Sequence, residues 1–165
     1  MPLAPAITDL GQLKERPAVA RLLAWKPDAV EAVKCDRDEL TIVLKRGAIR
    51  EACAILRDDG GLQFNFLADV TCVDWYPNEP RFEVVYHLLS IPRHERLRLK
   101  VRLSGDDPSL ESVTPVWPSA NFFEREVYDL FGVRFAGHPN LRRIMMPEDW
   151  EGHPLRKDYP VEGYR

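Results

Sequence analysis

The chain reads as an α+β fold, a mixed sheet of about five strands with helices on one face, followed by an extended C-terminal arm. Two observations predict the domain. Five stretches alternate apolar and polar residues at the period of a strand, and the stretches with helical spacing are scattered among them rather than following each strand in turn. A third observation predicts the arm: Pro139, Pro147, Pro154 and Pro160 interrupt everything after His138, so no helix longer than a turn or two can form there. The division falls between an α+β domain, residues 1–136, and a Pro-rich docking arm, residues 137–165.

Taken in order, the segment from Pro17 to Trp25 is a short helix ended before Pro27. Val30 to Lys34 and Glu39 to Leu44 alternate as strands around Asp36-Arg37-Asp38. Ile49, Cys53, Ile55 and Leu56 mark a second helix, which Asp58-Asp59-Gly60-Gly61 stops. Three strands follow, Ala68 to Tyr76, Arg81 to Leu89 and Arg96 to Leu103, with the last two forming a hairpin across Ile91-Pro92-Arg93-His94. In the last of them Arg96, Arg98, Lys100 and Arg102 alternate with Leu97, Leu99, Val101 and Leu103, which makes one face basic and the other apolar. Such a face is usually solvated. The rival readings are an acidic docking surface or an RNA groove, and the stripe has no interleaved aromatics on which bases would stack.

The final helix is punctuated at both ends. Asn121 is placed as its N-cap, Glu124 as the capping-box partner and Gly132 as the left-handed residue that ends it. At 100° per residue Phe123, Val127, Leu130 and Phe131 share the core face. Arg125 and Asp129 lie one turn apart on the opposite face, spaced to pair, with Phe122 among them. That ring either staples the helix entry or contacts a partner, since aromatics and Arg dominate interface hot spots. Glu124 and Glu126 point about 160° apart and cannot share a site. Glu126, flanking the apolar face, is expected to form a structural ion pair with Arg142 or Arg143.

The arm combines charge, rings, Gly and Pro. His138 and His153 each precede Pro and are read as turn-fixing hydrogen-bond partners rather than metal ligands. Fully extended, His138 to Tyr164 would reach roughly 90 Å, against a domain radius of gyration of about 14 Å. Trp150, Tyr159 and Tyr164 give the arm more hydrophobicity than a disordered tail needs. Those properties suit an arm that leaves its own body and folds on a partner. Within it, only Leu141, Ile144 and Met145, after an Asn140 cap, have helical spacing.

Composition narrows the function further. A net charge of -3 argues against a nucleic-acid binder, and no apolar run is long enough to span a bilayer. Without a signal peptide the chain is expected to be soluble, reaching a membrane only through partners. Cys35, Cys53 and Cys72 are widely spaced and fit buried reduced thiols. There is no phosphate loop, dinucleotide fingerprint, nucleophile elbow or Cys cluster. Glu124, Glu126 and Asp129 with His87, His94, His138 and His153 are what remain for acid–base chemistry, and no spacing draws them together.

Three motifs stand in register: Glu-Arg-Glu-x-Tyr-Asp-x-Phe-Gly (Glu124, Arg125, Glu126, Tyr128, Asp129, Gly132), Gly-His-Pro-x-Leu-Arg-Arg-Ile (His138, Pro139, Leu141, Arg142, Arg143) and Glu-Gly-His-Pro-Leu-Arg-Lys-Asp-Tyr-Pro (Gly152, His153, Pro154, Arg156, Lys157, Asp158, Tyr159). Together they resemble the hallmark region of the 30-kDa-type subunit of the proton-pumping NADH:quinone oxidoreductase, respiratory complex I. The resemblance covers about the last third of the chain; Asp69 to Trp75 also looks like the family's central strand. It implies a non-catalytic member of the peripheral arm, beside the quinone-site chain, on the cytoplasmic face of the cell membrane. It implies no cofactor in this chain, with FMN and iron–sulfur clusters in other subunits, and no nucleic acid. Partner contacts are implied for Phe122 and the motif residues just named. The alternatives are the equivalent component of a membrane-bound hydrogenase or photosynthetic quinone reductase, or a free-standing carboxylate/His enzyme.

Overall fold

The computed structural model describes residues 5–163; Tyr164, counted above among the tail's aromatics, lies outside them. Helices α1 (Leu10–Leu13) and α2 (Pro17–Trp25) lead into strands β1 (Val30–Asp36) and β2 (Glu39–Leu44), then α3 (Ile49–Asp58). Strands β3 (Phe66–Asp74), β4 (Phe82–Ser90) and β5 (Glu95–Leu103) follow, and after them β6 (Ser109–Glu111), α4 (Ala120–Phe131) and β7 (Arg134–Ala136). The main sheet has the order β1-β2-β5-β4-β3 and is mixed, because β2 runs parallel to β5 while the other neighbours are antiparallel. The predicted α+β class is therefore the observed one.

The period-two patterns place the core. Leu97, Leu99, Val101 and Leu103 of β5 are buried, and with Ile42, Leu44, Val84, Tyr86 and Leu88 they meet Val19, Leu22, Ile49, Cys53, Leu56, Val127 and Phe131 from the helices. Side chains that alternate on a pleated strand divide in this way between a packed face and a polar one. On the polar face the basic stripe is not left bare. Arg98 pairs with Glu39 at 2.7 Å, Lys100 with Glu83 at 2.6 Å and Arg102 with Glu83 at 3.7 Å. Neighbouring strands thus neutralise most of it, while Arg96 stays exposed beside an open cleft of about 360 Å³ that also meets Asp69 and His87.

Strand limits move where side chains intervene. β3 begins two residues before the expected Ala68, because Phe66 and Leu67 pair with Leu89 and Leu88 and the register shift falls between Leu67 and Asp69. It ends at Asp74, whose carboxylate accepts the Tyr76 N–H at 3.0 Å and turns the chain. Helix α1 and the parallel β6–β7 pair contain too few residues for periodicity to reveal them.

The start of α4 corrects the capping assignment. Asn121 is inside the helix, since Ala120 N–H already reaches the Trp117 carbonyl at 3.0 Å and Asn121 N–H the Pro118 carbonyl at 3.2 Å. The turn over residues 113–118 supplies these carbonyls in place of a capping side chain, and Ser119, at the cap position, makes no side-chain capping bond. The other end is as predicted: Gly132 is left-handed, φ 76°, and its N–H returns to the Tyr128 carbonyl at 2.8 Å. A Cβ here would collide with Arg156 Nη2 and lie 2.6 Å from His153 Nε2. Gly132→Ala should therefore cost about 2 kcal/mol from backbone strain and overpacking together, read as a thermal midpoint lower by several degrees.

Candidate functional site

The residues singled out in the last third converge on the C-terminal half of α4. A helix ends with carbonyls that lack partners within it. Tyr128 O is taken by Gly132; Asp129 O accepts His153 Nδ1–H at 2.8 Å and Arg143 Nη1 at 3.2 Å. Leu130 O accepts the Leu155 N–H at 3.0 Å, and Phe131 O accepts Arg156 Nε at 2.6 Å. The tail thus caps the helix, and two guanidinium groups sit at the negative end of its dipole. His153 donates from Nδ1, burial lowers its pKa and so favours the neutral ring, and the ring meets Tyr128 edge-on at 6.4 Å between centroids.

The Asp129 carboxylate is the anchor of this seam. It is fully buried, takes Arg143 Nη1 on Oδ1 at 2.6 Å, and takes the consecutive N–H groups of Ile144, Met145 and Met146 on Oδ2 at 2.9, 2.7 and 2.9 Å. Burial alone would raise its pKa. The N–H groups of Met146 and Ile144, the Arg143 guanidinium and the Met145 N–H outweigh that and hold it below the usual carboxylate range. Arg143 directs its other Nη to the Trp150 and Gly152 carbonyls, both at 2.9 Å, closing the segment between them into a loop. Arg125 donates to the Arg142 and Arg143 carbonyls at 3.1 and 3.0 Å. His138 accepts the Asn140 N–H on Nδ1 and donates from Nε2 to the Asn121 carbonyl at 3.2 Å, so its ring braces the turn at Pro139, whereas the His153 ring serves the helix end.

Farther along, the tail meets the β3–β4 corner. Arg81 makes a two-point pair with Asp74 and a second with Asp158 at 2.7 and 2.9 Å, while its guanidinium lies over the Tyr76 and Phe82 rings. Arg156 covers Phe82 as well, at 5.2 Å, and Lys157 offers its N–H rather than its charge to Asp74 at 2.8 Å. Asp74 is buried, which raises its pKa, yet Arg81 and the N–H groups of Lys157 and Tyr76 bring it down to about 2. Tyr159 donates to the Glu151 carbonyl at 3.3 Å.

Several expectations are corrected by this geometry. The tail does not leave its own body; helix carbonyls and two buried carboxylates hold it there. The helical spacing of Leu141, Ile144 and Met145 is left unused, because three consecutive N–H groups turn to Asp129 instead. Arg125 and Asp129 do not pair, since Asp129 faces inward to Arg143. Glu126 is exposed and is not the partner of Arg143, and Arg142 is exposed too. The buried glutamate of α4 is Glu124, bonded to Ser112 Oγ at 2.6 Å and Val113 N–H at 2.7 Å rather than to its own helix's first turn. Leu141 packs against the core, whereas Phe122 is 62% exposed. Sequence reasoning missed Asp74, Arg81 and Ser112, which no local spacing links to the tail. Among the described residues no cluster of His, Cys, Asp and Glu is arranged to hold a metal ion, and no helix is long and apolar enough to cross a membrane.

Residues 42–165, which include all of this seam, match the family model of the respiratory-chain NADH dehydrogenase 30 Kd subunit. The chain belongs to that family. Among curated members, the C-type subunit of the NADH-quinone oxidoreductase of Citrifermentans bemidjiense is 54% identical over 127 residues, 77% of this chain and 78% of that one. The same component from a Roseiflexus species is 50% identical over 141 residues, 86% of this chain and 81% of its own. Among solved structures, the trypsin-resistant fragment (1-134) of Nqo5 has a TM-score of 0.64 at 37% identity, covering 75% of this chain and 99% of that fragment. A chain in the structure of the membrane-bound sulfane sulfur reductase, an archaeal respiratory membrane complex, reaches 0.74 at 29% identity over 90% of this chain and 86% of its own. In this member of the 30 Kd subunit family, the three motifs are one structural unit: helix, anchor and cap.

Asp129→Asn keeps the shape but leaves Arg143 without its counter-charge, and should cost about 3 kcal/mol in denaturant unfolding and expose the tail to limited proteolysis. Arg143→Ala should behave similarly, whereas Arg142→Ala should stay within about 0.5 kcal/mol of the parent. Because the folded pKa values of Asp129 and Asp74 are depressed, their stabilisation is complete above the ordinary carboxylate range and is lost as pH falls through the folded values, about 2 for Asp74; a pH series of unfolding midpoints checks the sign.

Proposed function

We propose that this chain is a non-catalytic scaffold subunit of the peripheral arm of the NADH:quinone oxidoreductase. In that complex, electrons pass from NADH through FMN and iron–sulfur centres of other subunits to a quinone, coupled to proton translocation. The single observation that carries the reading is the family match across the whole helix-and-tail seam. The seam's geometry supports a docking role. Its polar groups are turned inward to Asp129, Asp74 and the α4 carbonyls, and Phe122, Ile144, Met145, Trp150 and Leu155 are left outward. Exposed apolar side chains on a rigid, hydrogen-bonded frame bind with little ordering cost. The neighbour we assign to this surface is the quinone-site chain, the D-type component of the complex, with the assembly on the cytoplasmic face of the membrane. Cys35, Cys53 and Cys72 are each buried and free of disulfides, on three different elements, β1, α3 and β3, which supports assigning iron–sulfur ligation to other chains.

A second reading, the equivalent component of a related membrane complex, is favoured by the likeness to the sulfane sulfur reductase chain. The higher identity to the NADH-quinone oxidoreductase relatives sets the order between the two. Both share one experiment. Phe122→Asp combined with Met145→Asp should leave the isolated chain's unfolding midpoint unchanged to within a degree or two, since both side chains are 62% exposed, while recovery in the membrane-bound complex falls at least tenfold. Normal assembly of that variant would remove the docking surface from this face, and the proteins that co-purify with the parent chain distinguish the two complexes.

A further inference from the structure

Glu124 is a fully buried carboxyl group with no cation bonded to it among the described residues. Its Oε1 takes the Val113 N–H at 2.7 Å and its Oε2 meets Ser112 Oγ at 2.6 Å. The other groups facing it are neutral: the Cys53 thiol from α3 and the Tyr86 hydroxyl from β4, both pushed up by burial and by Glu124 itself. Of the cations on α3, Arg57 spends its donors on the Val116 carbonyl and Asp58, and Arg50 pairs with Glu111. The Ser112 hydroxyl continues outward to Thr114 Oγ1 at 2.7 Å and accepts the Thr114 N–H at 3.1 Å, and Thr114 is partly exposed. A buried acid is thus joined to the surface by two hydroxyls.

We propose that Glu124 is a proton-binding site, exchanging with solvent through Ser112 and Thr114, and that its protonation sets how firmly α4 is seated on the sheet. The relay is satisfied in both states, because a hydroxyl donates once and accepts twice. With the acid protonated, its O–H donates to Ser112 Oγ, Ser112 donates to Thr114, and Thr114 donates to water. On release the Thr114 proton goes to water, the Ser112 proton moves to Thr114 and the carboxyl proton moves to Ser112. One O–H bond breaks and one forms at each hydroxyl, and one proton leaves. The carboxylate that remains accepts from Ser112 and Val113 alone.

Burial raises the Glu124 pKa from 4.5 to about 7 against the pull of those two bonds. A folded-state pKa above the unfolded value means that the folded chain holds the extra proton. The contribution of Glu124 to stability is therefore complete below about pH 4.5 and declines as pH rises to about 7, with the unfolding constant increasing by two to three orders of magnitude on this account. Because α4 carries both Glu124 and Asp129, the same titration loosens the helix that anchors the tail.

The experiment uses the full chain with carbon-13 in its glutamate carboxyl groups. Its NMR titration should show one glutamate titrating near neutrality, and that resonance should be missing from Glu124→Gln, whose unfolding should lose the pH dependence between 4.5 and 7. Thr114→Val should leave the titration midpoint in place and slow, at least tenfold, the infrared carboxyl response after a pH jump. That rate is a readout a purely structural threonine would not move. An ordinary glutamate midpoint for every resonance overturns the proton site, and an unchanged rate in Thr114→Val overturns the relay. If Glu124→Gln fails to fold, the labelled parent chain still decides the first question.

Discussion

The carboxylate of Asp129 is the constraint from which the last third of the chain follows. A charge removed entirely from water needs hydrogen bonds for its lone pairs and a counter-charge, and here Arg143 and three consecutive backbone N–H groups provide them. Bringing those N–H groups to one oxygen dictates the path from Arg143 to Met146. Arg143 then reaches the Trp150 and Gly152 carbonyls, so the chain returns to the helix end in time for His153, Leu155 and Arg156 to cap it. Gly132 fits this path, because the absence of a Cβ leaves room for His153 and Arg156.

A second clasp fixes the far end. Arg81 lies between Asp74 and Asp158, and its flat guanidinium uses the rings of Tyr76 and Phe82 as walls. An arginine serves here because both carboxylates are met in two-point geometry, which an ammonium group cannot offer. Held at both ends, the tail reaches a partner already ordered. The conformational entropy that a free arm would lose on binding is lost at folding instead.

Much of the domain was legible in the sequence because strand periodicity is a local property. β5 could be read from its alternation alone, and its buried leucines and valine stand where that alternation put them. The left-handed Gly132 was legible for the same reason. The seam was recognisable as three motifs but not as a structure, because its partners lie far apart along the chain. Asp129 and Arg125, one helical turn apart, were the natural local pair; the true partner is Arg143, and Asp74 meets Lys157 across most of the domain. Composition misled in a similar way. An arm rich in charge and proline looked short of surface to pack on, when that surface was made of helix carbonyls and buried carboxylates, which hydrophobicity does not count.

Glu124 and Asp129 show how position within a fold, more than residue type, decides what an acid does. They sit on the same helix and are equally buried. Asp129 has a guanidinium and backbone donors aimed at it and stays charged, so the interaction can organise the tail across the ordinary pH range. Glu124 has only a hydroxyl and a single N–H, with neutral Cys53 and Tyr86 beyond, and its charge finds no compensation. The helix therefore presents a permanent anion to the tail and a titratable one to the core. The first fixes the outer face that a partner would meet, and the second makes the seating of that face depend on whether a single proton is bound.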